Sequence, residues 1–310
     1  MVEVIYDGGL GNYLFQYCFG RILAEKLGYK LVASPIPGIR GTYDVVDGHN
    51  YGTETILTLR GQKPDLSFLN NAESKNHLLL TGYFQRYEYY EQHGQRIRNW
   101  LAIEDNIDFN VEVSDVVLSI RRGRDYIPRY GLPISYYEKA LASMKYDRVF
   151  ICTNEPDDPF IQFLRKKYGA VVRDGSFQGG RKPSTYLSGA LDNLVFIRKF
   201  KKIVISNSSF PWWAAFLSNA DEIVFPRPSN GLWSPNDPNS RNINLEVNEK
   251  RYRYLDCEKY KSEFLSETMR NHFDEIVLAT KRGIKRLLPP SIRRKAAATN
   301  NIWFNENFRE

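Results

Sequence analysis

The sequence predicts an α/β protein of parallel sheets with helices on both faces, arranged as two such units. Three observations predict it. Short apolar runs of strand length alternate with segments of helical period along most of the chain. Several of those runs end in a polar or glycine-rich stretch that leads straight into a helix, the opening half of a βαβ unit. The 310 residues are enough for one large or two medium cores.

The first unit opens with VEVIY (2–6), which alternates as a strand, and LFQYCFGRILAEKL (14–27), apolar at helical spacing. Between them GGLGN (8–12) predicts a bare backbone loop with Asn12 at its exit. LVASP (31–35) is the next expected strand, while 36–75, rich in Gly, Thr and Asn, shows no period. HLLLTGYF (77–84) predicts a buried strand and EYYEQHGQRIRNWLA (88–102) a helix.

A second series starts at SDVVLSI (114–120), a strand that runs into RRGRDY. Helices are expected at 135–145, 158–169, 185–201 and 211–219, and strands at 148–154, 170–174, 202–209 and 221–226. Gly169 closes its helix as a C-cap. The predicted domains are therefore 1–113, 114–256 and a tail at 257–310. In the tail, 258–288 is expected to be helical and is broken by Pro289 and Pro290. Its segment 281–295 carries Lys281, Arg282, Lys285, Arg286, Arg293, Arg294 and Lys295 without an acidic residue. Two readings fit it: a solvated basic helix face, or peripheral attachment to an anionic membrane.

Composition is that of an ordinary soluble globular protein, 42% apolar and 25% charged. The net charge of +7 favours anionic partners, although much of it sits in the tail. No apolar run reaches membrane-spanning length, and MVEVIYDGG lacks the basic start and apolar stretch of a secretory signal. Cys18, Cys152 and Cys257 are too scattered for a disulfide framework or a metal cluster. A cytoplasmic location is the expectation, with no metal and no cofactor; peripheral contact with the inner membrane face belongs to the second reading of the tail.

Three stretches share one geometry, a strand ending in a polar loop before a helix: GGLGN (8–12), SIRRGRDY (119–126) and SNSSFPWW (206–213). In wound parallel sheets the ligand crevice lies beyond the carboxyl ends of the strands, so all three loops face one cleft. The first offers backbone N–H groups at Gly9 and Gly11, with Asn12. The second offers Arg121, Arg122 and Arg124, whose planar forks suit phosphate oxygens. The third offers Ser208 and Ser209 at a helix N-terminus. Together they read as a diphosphate site. Each has a plainer reading as well: a tight turn, a surface ion-pair network and a helix cap. Trp212 and Trp213 read as core. A P-loop and a GxGxxG dinucleotide fingerprint are both missing, which excludes those nucleotide classes as supported readings. No aromatic-basic RNA motif occurs, so nucleic acid is not an expected partner.

GGLGNYLFQYCFGRILA resembles the GGLGNQLFQYAFGRALA opening of the α-1,2-fucosyltransferases, glycosyltransferase family 11. GYFQRYEYY (82–90) is similar to that family's GYFQS-type segment, LSIRRGRDY to its HIRRGDY motif, and VISNSSFPWW to its IISNSTFSWW. LPISYYEKAL (132–141) follows at the family's usual distance, and the blocks keep family order over roughly 4–235. The resemblance implies a GT-B-like fold, two Rossmann-like domains facing a cleft. It also implies metal-independent, inverting transfer of fucose from GDP-fucose to the 2-hydroxyl of a galactose in an oligosaccharide or lipid-linked glycan.

By matching position, Arg121 would hold the β-phosphate, with Arg122 and Asp125 shaping the loop. Asn12 would face the diphosphate or sugar, and Ser208, Ser209 and Phe210 would complete the cradle. Asp192 matches an acid that related enzymes use to read guanine; a solvated helix charge is the plainer alternative. The chain departs from the family pattern at Tyr13, Ser119, Arg124 and Pro211. Ser119 stands where the family has His, which leaves the general base open among Asp7, Asp125 and Glu155, with Asp125 the first choice. These departures motivate two alternatives: a GDP-sugar or glycan binding protein without catalysis, and a transferase for another GDP-sugar.

Overall fold

The computed structural model describes residues 1–49, 56–67, 76–105, 108–123, 126–174, 183–229, 233–234, 236–237 and 242–258. Arg124, Asp125 and the basic tail lie outside the described residues.

The first unit comprises β1 (Val2–Val4), α1 (Leu10–Leu27), β2 (Leu31–Val32), β3 (Ile56–Leu59), β4 (His77–Leu80) and α2 (Gly94–Trp100). Its strands form one parallel sheet in the order β2-β1-β4-β3. Val2 pairs with both Leu31 and Leu78, and the buried Val2, Val4, Leu78 and Leu80 show why these runs read as strands. α1 starts four residues before its apolar run. Gly9 is its extended N-cap, so Gly11 and Asn12 sit in the first helical turn and not in a loop. Gly28, at φ 64°, closes the helix in the left-handed region that glycine adopts without strain.

The second unit comprises β5 (Val116–Ile120), α3 (Ile127–Tyr130), α4 (Ile134–Ala142), β6 (Val149–Thr153), α5 (Pro159–Tyr168) and β7 (Val171–Asp174). It continues with α6 (Pro183–Arg198), β8 (Lys202–Ile205), α7 (Ser209–Leu217), β9 (Glu222–Pro228) and β10 (Tyr252–Cys257). The strand order is β7-β6-β5-β8-β9-β10, all parallel. Counted from β5 this is the 3-2-1-4-5-6 order of the doubly wound nucleotide-binding fold. The expected α/β architecture of two parallel sheets is what the structure shows.

The second sheet reverses its strand order once, at β5 beside β8, and the first reverses at both of its central strands, β1 and β4. Those are the switch points at which ligands bind in such sheets.

A wedge of aromatic side chains joins the units beneath the switch points. Phe15 of α1 lies 4.9 Å from Trp212 and 4.8 Å from Trp213, and Tyr90 lies 5.9 Å from Trp213. Both tryptophans are fully buried, so they are core, as their sequence suggested. One apolar core runs from Val2 and Val4 through this wedge to Ile203, Ile205 and Phe225. The segment around Asn244 then returns to the first unit: its backbone bonds Gln85 and Tyr87, and the Leu245 carbonyl accepts from Trp212 Nε1 at 2.8 Å.

At Gly11 the backbones of the two units pack directly against each other. A methyl on it would stand 2.5 Å from the Phe210 amide nitrogen and 2.6 Å from the Ser209 carbonyl carbon. Backbone cannot swing aside as a flexible side chain can. Gly11→Ala is therefore expected to destabilise the fold by about 1–3 kcal/mol, read as a fall in the thermal midpoint. An unchanged midpoint would show that α1 and α7 do not meet here.

Candidate functional site

The loops after the switch points enclose a cleft of about 780 Å³. From the first unit it is lined by Gly9, Leu10, Gly11 and Asn12, and by Gln62, Tyr83 and Gln85. From the second it is lined by Ser119 and Arg121 at the end of β5, by Thr153 and Asn154 at the end of β6, and by Ser206 to Pro211 in part. Tyr126, Tyr130, Ala190, Asn193 and Ile243 complete much of the wall. Arg121 is the one charged side chain among the described lining residues.

Alternation along β5 decides which arginine faces the cleft. Val116, Leu118 and Ile120 point into the core on one face of the sheet, and Val117 into the other. Continuing that period of two sends Arg122 with the first set and Arg121 with the second. Arg122 is indeed 1% exposed, paired with Asp158 at 3.2 Å, with its guanidinium 4.3 Å from the centre of the Phe160 ring. Its backbone is pinned by both ends of the Asn154 amide, at 2.9 and 2.7 Å. The Arg122 side chain is thus turned away from the cleft's described lining and braces the loop from below, the loop-shaping place the resemblance implied for it. Arg121 is half-buried and sits 5.7 Å from the centre of the Tyr126 ring. Tyr126 in turn donates to the Asn207 carbonyl at 2.8 Å, which fixes the wall behind the guanidinium.

Two helix N-termini converge beside Arg121. α1 begins at Leu10 and α7 at Ser209, and neither carries an acidic residue in its first turn. The positive ends of both dipoles are thus left uncompensated at one point, which favours an anion there. Pro211 removes one donor from the third position of α7, leaving the amides of Ser209 and Phe210. The bareness of Gly11 has a packing cause, the close approach of the Ser209–Phe210 backbone. Gly8 is bare for another reason: it sits at φ +90°, and a methyl there would strike Asn12 Nδ2.

Asn12 ties the two walls together. Its Oδ1 accepts from Gln85 Nε2 at 2.9 Å and from Ser209 Oγ at 2.8 Å, across the cleft. Gln16 Nε2 donates to the Gly82 carbonyl at 3.1 Å, and Tyr83 Oη donates to Asp7 Oδ2 at 2.7 Å. Burial, and then the bond to Asp7, hold the Tyr83 phenol above the ordinary tyrosine range.

The structure thus brings Gly9, Gly11, Asn12, Arg121, Ser208, Ser209 and Phe210 to one cleft. Asp192 is exposed on α6 and stands outside the cleft's described lining, whereas its neighbour Asn193 is buried and lines it. Asn193 Oδ1 accepts from Arg173 Nε at 3.0 Å, which leaves its amide N–H₂ to donate. Asp125, expected to be catalytic, lies outside the described residues. The motif reading passed over Tyr83, Gln85, Asn154 and Asn193. The first three follow the carboxyl ends of β4 and β6, so the rule that selected the other loops also selects them. Asn193 falls on the buried helical period of Ala190, Leu194 and Ile197.

No helix among the described residues is long and apolar enough to cross a membrane. No curated protein matches the chain. Among solved structures, one described as NodZ alpha-1,6-fucosyltransferase soaked with GDP-fucose aligns with a TM-score of 0.46 at 12% identity, covering 71% of this chain and 92% of that one. The family model of glycosyl transferase family 11 matches residues 48–232, more than half of the chain and a span that includes the exits of β4, β5, β6 and β8. The chain belongs to glycosyl transferase family 11.

Proposed function

We propose that this protein transfers fucose from GDP-fucose to a glycan hydroxyl, with inversion and without a metal, and that the 2-hydroxyl of a galactose is the acceptor. The observation that carries the reading is Arg121, the lone described charge in the cleft, beside two converging helix N-termini. Such a site is built for an anion held by several donors. As the glycosidic bond breaks, negative charge grows on the diphosphate, and preorganised donors lower that barrier more than they lower the ground state. The described lining holds amides, hydroxyls and one guanidinium, with no carboxylate to seat a divalent ion, which supports neutralisation by protein groups. The 2-hydroxyl position and the fucose itself rest on family membership. The GDP-sugar and a glycan, free or lipid-linked, are the partners this reading requires.

The base is read, in this proposal, by Asn193, whose free amide hydrogens suit guanine O6 and N7. Calorimetric titration of GDP, UDP and ADP tests the assignment. GDP is expected to bind at least about tenfold tighter than the others, the worth of one well-placed hydrogen bond. Asn193→Ala should erase that preference, and Asp192→Ala run beside it decides which residue reads the base. Equal or absent binding of all three nucleotides would remove the basis of the proposal.

A second reading, binding without turnover, is favoured by Ser119 at the position of the family His. It predicts GDP affinity with neither transfer nor donor hydrolysis.

A further inference from the structure

Inverting transfer needs a group that takes the acceptor's proton on the side away from the leaving diphosphate. Among the described lining residues none is a carboxylate or a histidine. Asp7, however, stands one bond behind them. It follows β1, is exposed to solvent, and accepts from Tyr83 Oη at 2.7 Å. Tyr83 follows β4 and lines the cleft on the wall of the first unit, whereas Arg121 lines it from the second.

The pair is held in place. Asp7's own amide donates to Gln16 Oε1 at 3.1 Å, and Gln16 Nε2 donates to the Gly82 carbonyl next to Tyr83. One side chain thus fixes the spacing between the β1 and β4 exits. Gly82 is confined as well, since a methyl on it would stand 2.2 Å from the Gly61 carbonyl oxygen. The phenol keeps its proton at neutral pH, because burial and the Asp7 carboxylate raise its pKa. It therefore acts as a relay and not as the terminal base.

We propose that Tyr83 is the catalytic residue that meets the acceptor hydroxyl, and that Asp7 is the positioning residue behind it, which orients the phenol and receives its proton. This inference rests on the transferase reading above. In the step, the acceptor oxygen forms a bond to the anomeric carbon. The bond from that carbon to the diphosphate oxygen breaks, and its electron pair leaves with the nucleotide. The acceptor's proton passes to Tyr83 Oη as Tyr83's own proton passes to Asp7 Oδ2. Asp7 then loses it to solvent, to which it is exposed.

The test compares wild type, Asp7→Asn, Asp7→Glu, Tyr83→Phe and the Asp7→Asn/Tyr83→Phe double variant. GDP affinity by calorimetry and transfer kinetics in H₂O and D₂O are measured for each. The expected result is a loss in kcat of about 10²-fold for Asp7→Asn and for Tyr83→Phe, with GDP affinity and acceptor KM held within twofold. The double variant should be no worse than either single one, because both belong to one relay. Asp7→Glu should recover part of the rate. The wild-type solvent isotope effect, with two protons in flight, should shrink in Tyr83→Phe. Retention of kcat in Asp7→Asn, additive losses, or an isotope effect that stays put would overturn the relay while leaving the transferase reading intact. A wild type that binds no GDP and transfers nothing would overturn both.

Discussion

Arg121→Ala is expected to fold like the wild type and to lose both nucleotide and catalysis. Arg121 is half-buried on the cleft wall and is not among the buried residues of the core. Removing a charge-assisted bond to a bound diphosphate costs about 1.5–3 kcal/mol, a fall in GDP affinity of about 10- to 150-fold. The loss in kcat/KM should be greater, about 10³-fold or more, because the diphosphate's charge increases in the transition state. Calorimetry with GDP and steady-state kinetics with GDP-fucose measure the two separately. Equal losses in affinity and turnover would mean that Arg121 only binds. A variant with normal affinity and rate would move the diphosphate site elsewhere.

Arg122, one residue on, should give the opposite phenotype. Its ion pair with Asp158 is buried on both sides, with 1% and 4% of the two side chains exposed. Asp158 also caps α5, accepting from the Phe160 amide at 2.9 Å. Arg122→Met would leave that carboxylate buried and unpaired, a change that costs about 3–5 kcal/mol. For a chain of this size the thermal midpoint should fall by on the order of 10 °C. The Arg122→Met/Asp158→Met pair should recover much of it, since no lone charge then remains, although the cap is lost. Thermal unfolding of the single and double variants decides this. A single variant as stable as wild type would show that the buried pair contributes nothing net.

The contrast between these two arginines also shows how far the sequence can be read. That RRG follows a strand was legible from SDVVLSI, a short apolar run with a polar end. Which arginine faces a ligand was legible too, by carrying the alternation of Leu118 and Ile120 one step further, but treating the motif as a cluster hid it. The same applies to Asp192 and Asn193: the helical period of their neighbours turns the asparagine inward. Other features had no local signal. β3 lies at the edge of the sheet in a stretch that showed no period, and it is a strand only because β4 lies beside it. α1 begins at Leu10 although GGLG is a poor helix start, because α7 packs against Gly11. β10 alternates poorly, and its parallel pairing with β9 spans a long crossover that no window of sequence contains.

The return of the 242–247 segment to the first unit bears on how such proteins can be recombined. A junction near residue 113 falls between the two sheets, but in this chain it separates Gln85 and Tyr87 from the backbone of Asn244, which bonds to both. It also divides Phe15 from Trp212 and Trp213. Exchanging acceptor-side halves between relatives therefore carries a hidden requirement: the donor-side half must bring a 242–247 segment and an α7 that match the incoming partner. The two sheets are inherited as a pair.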